Sequence, residues 1–469
     1  MIARLPVIVL IAVLYMICII ISVCFDGTFD TGDGVVHYFF SRYAFNHPEN
    51  FLDHWAKPVF VLLSAPFAQF GFSGIKIFNS TVAALTAWLV YRVAIQLRKE
   101  NAALAPVMLF CTPLYFLSIF SGLTETLFGL FLISAIWLAL RERWLMSSLV
   151  VSLMPFVRSE GLIILGVFAA FFSLKKKFKA VPVLMAGHLI FSFAGYFHYN
   201  DFLWVFNKIP YASLDSPYGS GRLLHFVNQL FYVVGVPVYI FLCMGLLQPL
   251  LASLSKKRFE TSAFATGEYV LMYGCFISFF VAHSLFWWLG IFNSMGLKRV
   301  FIGVIPLIAI IALNGYNLIN QVARNYLGRF SKVISFFLIV YVLLFPFTSN
   351  KAAIRWSSIL SFSPSHRLVR EMSLFLKEKY PGYTLYHGNP CINFEMNINP
   401  FNSNEYHILA DINSSFLPEH SVLIWDDWFA VEQGLPLDAI TNDARFQLVK
   451  SFETMEGNRE VRMVVFVKK

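Results

Sequence analysis

Long uncharged runs alternate with short charged segments over the first 350 residues of the chain. The first run extends from Leu5 to Phe25, and similar runs recur as far as about Asn350. A helix needs roughly 20 apolar residues to cross the hydrocarbon core of a bilayer. Because the runs are continuous rather than alternating, they predict membrane-spanning helices and not the strands of a barrel.

Breaks at charges and at Pro and Gly clusters divide this region into about eleven predicted spans. They are 5–25, 75–97, 102–121, 124–140, 144–157, 161–174, 178–198, 223–254, 268–290, 299–320 and 332–350. We expect the first to be an uncleaved span, because it is longer than a signal-peptide core and no Ala-x-Ala site follows. The pair 144–157 and 161–174 is short, so the turn between them is expected below the membrane surface.

Residues 351–469 differ in character, because charges occur throughout this segment. The runs "SVLIW" (421–425) and "VRMVVFVKK" (461–469) predict strands, and 366–380 predicts a helix. A segment of this length can hold its own core. We therefore expect two domains, a polytopic α-helical membrane domain (1–350) and a small α/β domain (351–469).

Composition and charge agree with this interpretation and set the orientation. The chain is 58% hydrophobic and 13% charged, against roughly 25% charged residues in a soluble domain. Basic clusters occupy every second loop, at Arg4, 92–99, 141–143, 175–179, 256–258 and 324–332. The positive-inside rule places these loops and the N-terminus in the cytoplasm and the C-terminal domain outside the cell (inner) membrane. The net charge of +9 then reflects topology, and no nucleic-acid partner is expected.

The loop after the first span gathers acids and histidines on the outer side. Asp33 to Phe45 predicts a short helix, and Pro58 to Phe70 a second apolar helix that is too short to span and lies at the interface. Asp30, Asp33 and His37 are candidate site residues. An Asp here could act as a general base, neighbouring oxygens could hold a divalent metal ion, or Asp33 could simply cap its helix.

Cations and further acids in the outer segments extend the candidate site. Lys57, next to His54, could bind a phosphate or could anchor its helix at the interface. Arg158 in "PFVRSEG" could hold an anion or pair with Glu160, and Arg222, Lys298 and Arg299 repeat the outer-cation theme. Glu125 in "SGLTETLFG" stands at an outer turn, where a carboxylate would face the same vestibule as Asp33.

The ordered set "FDTGDGVVH", "HWAKP", "GLTET" and "PFVRSEG", followed by an extracytoplasmic tail domain, resembles the glycosyltransferase C superfamily. This superfamily of polyprenyl-phosphate-sugar-dependent membrane enzymes includes the protein O-mannosyltransferases and the aminoarabinose transferases. The resemblance implies that Asp33, or else Asp30, is catalytic and that Lys57 and Arg158 contact the lipid phosphate. It places Glu125, a third candidate catalytic acid, where many members carry an outer-turn acid.

The implied reaction moves a sugar, mannose or a similar hexose, from a polyprenyl-phosphate carrier to a hydroxyl of a lipid, glycan or protein acceptor. Asp33 would act as general base in one displacement with inversion, and Arg222 or a metal could assist at the phosphate. Two alternatives remain: a transporter or lipid-linked glycan flippase, which predicts ionisable residues near the middle of the membrane, and a scaffold whose tail domain binds a partner.

Overall fold

The fold was analysed in a computed structural model, which describes residues 5–214, 216–254, 267–413 and 417–469. The basic residues at Arg4 and 256–258 lie outside the described residues. The N-terminal part is helical. Its first helices are α1 (Leu5–Cys24), α2 (Asp33–Arg42), α3 (Pro58–Ala68), α4 (Gly71–Gln96), α5 (Leu104–Phe110), α6 (Pro113–Ile119) and α7 (Glu125–Leu140).

The helical part continues to the end of the last apolar segment. It contains α8 (Trp144–Leu153), α9 (Gly161–Leu174), α10 (Ala186–Tyr199), α11 (Trp204–Asn207), α12 (His225–Val234), α13 (Val236–Leu254), a π-helical stretch (Glu268–Gly274), α14 (Cys275–Leu289), a 3₁₀ turn (Lys298–Val304), α15 (Ile305–Leu327) and α16 (Ser331–Leu344).

Several of these helices are long and apolar enough to cross a membrane. Within the described residues five segments meet both criteria: Pro6–Cys24, Gly71–Gln96, Phe178–Tyr199, Glu268–Leu289 and Lys298–Phe347. Shorter apolar helices of 10–17 residues, such as Gly161–Leu174, accompany them. The chain is therefore an integral membrane protein, as its composition predicts, whereas the number of about eleven spans stays a prediction.

Two of the predicted spans are interrupted, and one begins earlier than predicted. The segment 102–121 breaks between α5 and α6 at Pro113, which cannot donate the backbone hydrogen bond that a continuous helix requires. The segment 223–254 breaks at Gly235, whose φ of 76° lies in the left-handed region. The predicted span 75–97 begins earlier, because α4 starts at Gly71.

The C-terminal part forms a four-stranded sheet with helices on both faces. After α17 (Ser357–Leu360) and α18 (Pro364–Lys379) come β1 (Thr384–Tyr386), α19 (Pro390–Met396), β2 (Ser421–Asp426), α20 (Phe429–Glu432), α21 (Leu437–Thr441), β3 (Phe446–Glu456) and β4 (Arg459–Lys468). The strand order is β1-β2-β4-β3, with β1 and β2 parallel and the other pairs antiparallel. The α/β class predicted for the tail is confirmed; the domain boundary at residue 350 stays a prediction.

The sheet packs against the loop that follows the first span. Val422 and Ile424 of β2 face a core shared with α18, whereas Leu423 and Trp425 face a second core beside α20 and α21. The first of these cores also contains Val35 and Phe39 of α2. The tail domain and the acidic loop after the first span thus share one of these two apolar cores.

Candidate active site

The acidic loop enters α2 through a cap made by Asp30. The backbone N–H of Gly34 donates to Oδ1 of Asp30 at 2.6 Å. Asp33 is the first residue of α2, and the preceding Gly32 provides no side-chain cap. The simple interpretation of Asp33 as a helix cap is therefore wrong, because Asp30 has that role and the Asp33 carboxylate is available for another one.

The turn that carries Glu125 lies directly against the acidic loop. A Cβ atom at Gly122 would collide with the backbone carbonyl of Gly34, so only glycine allows this approach. Asn79 of α4 fixes the turn, because its Nδ2 donates to the carbonyls of Ser121 (2.7 Å) and Leu123 (3.2 Å). The glycines of "TGDG" and "SGLTE" thus bring Asp33 and Glu125 to one place.

Arg299 joins the three carboxylates of this region. Its Nη1 donates to Oδ2 of Asp30 at 2.8 Å, and its Nη2 donates to Oδ2 of Asp33. Its Nε lies 3.9 Å from Oε1 of Glu125. The Asp33 side chain is 42% exposed, against 18% for Asp30 and 1% for Glu125. Asp33 is therefore the carboxylate that a substrate can approach.

Arg158 extends the network from Glu125 to the "RSEG" turn. Its Nη1 lies 2.9 Å from Oε1 of Glu125 and its Nη2 lies 2.7 Å from Oε1 of Glu160. Thr124 accepts a third hydrogen bond from Nη1 at 3.1 Å. The predicted Arg158–Glu160 pair is confirmed, and Glu125 is an additional partner of Arg158.

Lys57 stands beside this turn and is buried rather than extended to the surface. The residue caps α3 with a φ of 71°, and its Nζ donates to the carbonyl of His54 and to Oγ of Ser159, both at 2.9 Å. Burial lowers the pKa of the Lys57 ammonium to about 8. The geometry does not fit a surface anchor and places a buried cation next to Arg158.

His37 and His54 flank the site in different ways. The His37 ring stacks on Trp55 at a centroid distance of 4.8 Å, and burial lowers its pKa to about 4. Burial also lowers the pKa of His54 to about 4, and Nε2 of His54 lies 3.1 Å from the carbonyl oxygen of Val205. Both rings are therefore neutral near pH 7 and serve as packed walls of the site.

Arg222 is the one predicted phosphate ligand that the structure leaves outside this network. Its side chain is exposed, and within the described ranges no ion pair or side-chain hydrogen bond connects it to the acidic cluster. The sequence, in contrast, indicates Arg299 only as one of several cations on the predicted outer side. The signal that could have singled it out is its position at the start of an apolar span, against the positive-inside bias.

The charges of the site nearly balance. Four carboxylates (Asp30, Asp33, Glu125 and Glu160) meet three cations (Lys57, Arg158 and Arg299) in one connected set of contacts. The guanidinium of Arg299 stands between the carboxylates of Asp30 and Asp33. In the part of the chain that the structure describes, no group of three or more His, Cys, Asp or Glu side chains is arranged to hold a metal ion.

Comparisons with known proteins find similarity in structure but not in sequence. No protein-family model matches the sequence, and none of the curated proteins does. The structure of ArnT from Cupriavidus metallidurans bound to undecaprenyl phosphate aligns with a TM-score of 0.61 and 11% identity, over 97% of each chain. The apo structure of the same protein gives the same score and identity over 99% of this chain and 98% of ArnT. The chain therefore has the fold of ArnT, in line with the resemblance that its sequence motifs show.

Proposed function

We propose that this chain is a membrane glycosyltransferase that takes a sugar from a polyprenyl-phosphate carrier and attaches it to a hydroxyl of an acceptor. The observation that carries the proposal is the row of contacts from Asp33 through Arg299 and Glu125 to Arg158, whose neighbour in the chain, Ser159, accepts a hydrogen bond from Lys57. The row joins an exposed carboxylate to buried cations, which is what a proton transfer beside a leaving phosphate requires.

Asp33 is proposed as the general base. Its Oδ2 accepts from Arg299, whereas its Oδ1 has no hydrogen-bond partner among the described residues. This second oxygen could take the proton of an acceptor hydroxyl while the hydroxyl oxygen bonds to the anomeric carbon. The bond from that carbon to the phosphate oxygen then breaks, and its electron pair leaves with the lipid phosphate. One displacement of this kind inverts the configuration.

Lys57 and Arg158 are proposed to hold the donor phosphate. The Lys57 ammonium has three N–H donors, of which two bind His54 and Ser159, so one remains for a phosphate oxygen. Arg158, which directly precedes Ser159 in the chain and is held by Glu125, adds a fixed positive charge. Their charges stabilise the phosphate oxygen as it gains negative charge in the transition state. Glu125 holds both arginines in position and is too buried to meet a substrate.

The position of the charges favours an enzyme over a transporter. Asp33 and Glu125 are the first residues of α2 and α7, Glu160 directly precedes α9, and Arg299 lies in the turn that precedes α15. The charged site is thus built from helix starts, where a negative side chain is favoured by the helix dipole. A transporter would place ionisable residues near the middle of its spans, whereas Arg299 is the second residue of the apolar segment Lys298–Phe347 and Glu125 is the first residue of α7.

A donor screen tests the proposal. Purified protein in liposomes is given radiolabelled sugars on undecaprenyl phosphate, with mannose first and then other hexoses and aminoarabinose, together with membrane lipids and glycoproteins as acceptors. We expect label to move from one donor to an acceptor. The labelled product should be stable in mild acid, which cleaves the sugar–phosphate bond of the donor. If no donor is consumed while lipid-linked sugars cross the liposome bilayer, the flippase alternative is correct.

A further inference from the structure

A groove lies between the end of the first span and the tail domain. The groove encloses about 440 Å³. One wall is Asp26, two residues beyond the end of α1, and the other is formed by α18 and the turn that precedes it. Since α1 is a predicted membrane span, Asp26 stands at the level where lipid headgroups meet the protein.

The groove is lined by two cationic and two anionic side chains. Arg367 and Arg370 project from α18, and Asp26 and Glu371 supply two carboxylates. None of the four groups lies within ion-pair distance of another described residue, although Asp26 interacts electrostatically with Lys76 and Arg370 with Glu395. Arg367 donates to the carbonyl of Phe362 at 3.1 Å, and the Arg370 guanidinium lies 5.5 Å from the centroid of the Phe362 ring.

Apolar side chains complete the lining. Leu360, Phe362 and Leu374 lie in the same groove, and Leu360 and Leu374 are exposed to solvent. Arginine forks suit the oxygens of a phosphate, whereas carboxylates accept hydrogen bonds from a primary ammonium. A purely anionic ligand would meet repulsion from Asp26 and Glu371, so the balanced charge selects a ligand that carries both signs.

We propose that this groove binds the headgroup of a zwitterionic phospholipid with a primary amine, a phosphoethanolamine lipid of the outer leaflet. The phosphate lies against Arg367 and Arg370, the ammonium against Asp26 and Glu371, and the first methylenes of the chains against Leu360 and Leu374. This site goes beyond the proposed transfer reaction and does not depend on it. It would fix the tail domain to the membrane surface.

The test uses the full-length protein in detergent, with lipid binding measured by native mass spectrometry. The probes are phosphatidylethanolamine, phosphatidylcholine and phosphatidylglycerol with the same acyl chains, and soluble glycerophosphoethanolamine and inorganic phosphate as competitors. We expect phosphatidylethanolamine to bind most tightly, because choline has no N–H to donate and glycerol has no positive charge.

Single substitutions with matched controls assign the binding to the groove. Arg370→Gln should weaken phosphatidylethanolamine and phosphatidylglycerol binding about three- to fivefold, and Glu371→Gln should weaken only phosphatidylethanolamine, the scale expected of a surface ion pair. Lys379→Gln and Glu378→Gln, exposed on the same helix, should change neither. Melting temperature and gel filtration confirm that each variant is folded.

Three results would overturn the proposal. The first is equal binding of the three lipids. The second is unchanged binding in Arg370→Gln and Glu371→Gln. The third is full displacement of phosphatidylethanolamine by equimolar glycerophosphoethanolamine or inorganic phosphate, which would assign the groove to a soluble phosphate compound instead of a lipid.

Discussion

The guanidinium of Arg299 donates to the carboxylate of Asp33, although 266 positions separate the two residues in the sequence. The same guanidinium holds Asp30 and approaches Glu125. Three acids would repel one another at this distance if no cation stood among them. Arg299 therefore allows the acidic cluster to exist in the folded protein, and it orients the side chain that we propose as the base.

Replacement of Arg299 should lower the rate of sugar transfer. Arg299→Gln leaves Asp30 and Asp33 facing each other without their shared cation, and we expect kcat to fall about 10²-fold, as for other preorganised charged contacts. Arg299→Lys should lose less, because it keeps the charge but not the fork that binds two carboxylates. Initial transfer rates measure both. Lys298→Gln, at the exposed neighbouring position, serves as the control. Equal rates of transfer in Arg299→Gln and in the wild-type protein would contradict the assignment.

Replacement of Glu125 should reduce stability as well as activity. Glu125 is 1% exposed and contacts both arginines, so Glu125→Gln removes the buried carboxylate that Arg158 and Arg299 share. Loss of one member of a buried pair typically costs about 3 kcal/mol in the free energy of unfolding. A melting temperature several degrees lower is expected. Glu100→Gln, which breaks the exposed Glu100–Arg324 pair, should leave the melting temperature unchanged.

The pH dependence of kcat/KM for the donor should report the protonation of Lys57. Burial places the pKa of this ammonium at about 8, so kcat/KM for the donor is expected to fall as pH rises above 8, because the neutral amine cannot hold the phosphate. Stability should move in the opposite direction. Between pH 8 and about 10.5 the unfolded chain binds this proton and the folded protein does not, so the free energy of unfolding rises with pH.

Lys57→Arg provides the control for the pH profile, because a guanidinium stays charged over this range. A folded Lys57→Arg protein with a flat profile from pH 7 to pH 10 is expected. A wild-type profile that is equally flat would show that Lys57 does not bind the phosphate.

The tail domain should affect activity through Phe401. Its ring packs against Phe40 of α2 at a centroid distance of 4.8 Å and lies 6.3 Å from Tyr43. Phe401→Ala should reduce the free energy of unfolding by about 2 kcal/mol and loosen α2, and so lower kcat more than it changes KM. Hydrogen exchange of the α2 amides measures the loosening directly. Val431→Ala, at an exposed position of the same domain, should leave α2 unchanged.

The sequence predicts much of the local structure of this site. "TGDG" before an apolar run predicts the start of α2 at Asp33, "SGLTET" the start of α7, and "RSEG" the turn with a paired Arg158. These predictions rest on glycine, charge and apolar period, all of which act over a few residues. They hold because residues close in the sequence determine where each of these helices starts.

What the sequence does not reveal is which distant residues meet. Neither the contact between Arg299 and Asp33 nor that between Gly34 and Gly122 has a local signal, because both depend on how α4, α7 and the segment before α15 pack together. Asp30 and Asp33 are equivalent in a local pattern, and only the hydrogen bond from Gly34 to Asp30 distinguishes the cap from the candidate base. Arg222 shows the converse, since an outer position alone does not bring a cation to the site.

The most direct test measures sugar transfer by two separate folded variants, Asp33→Asn and its control Glu49→Gln, in matched amounts. Both acids lie in the loop that follows the first span, but Glu49 is exposed and among the described residues forms an ion pair only with His47. The account predicts that, with the donor identified in the screen, transfer is lost in Asp33→Asn and is unchanged in Glu49→Gln. Full transfer by Asp33→Asn would contradict the central claim that Asp33 takes the proton of the acceptor.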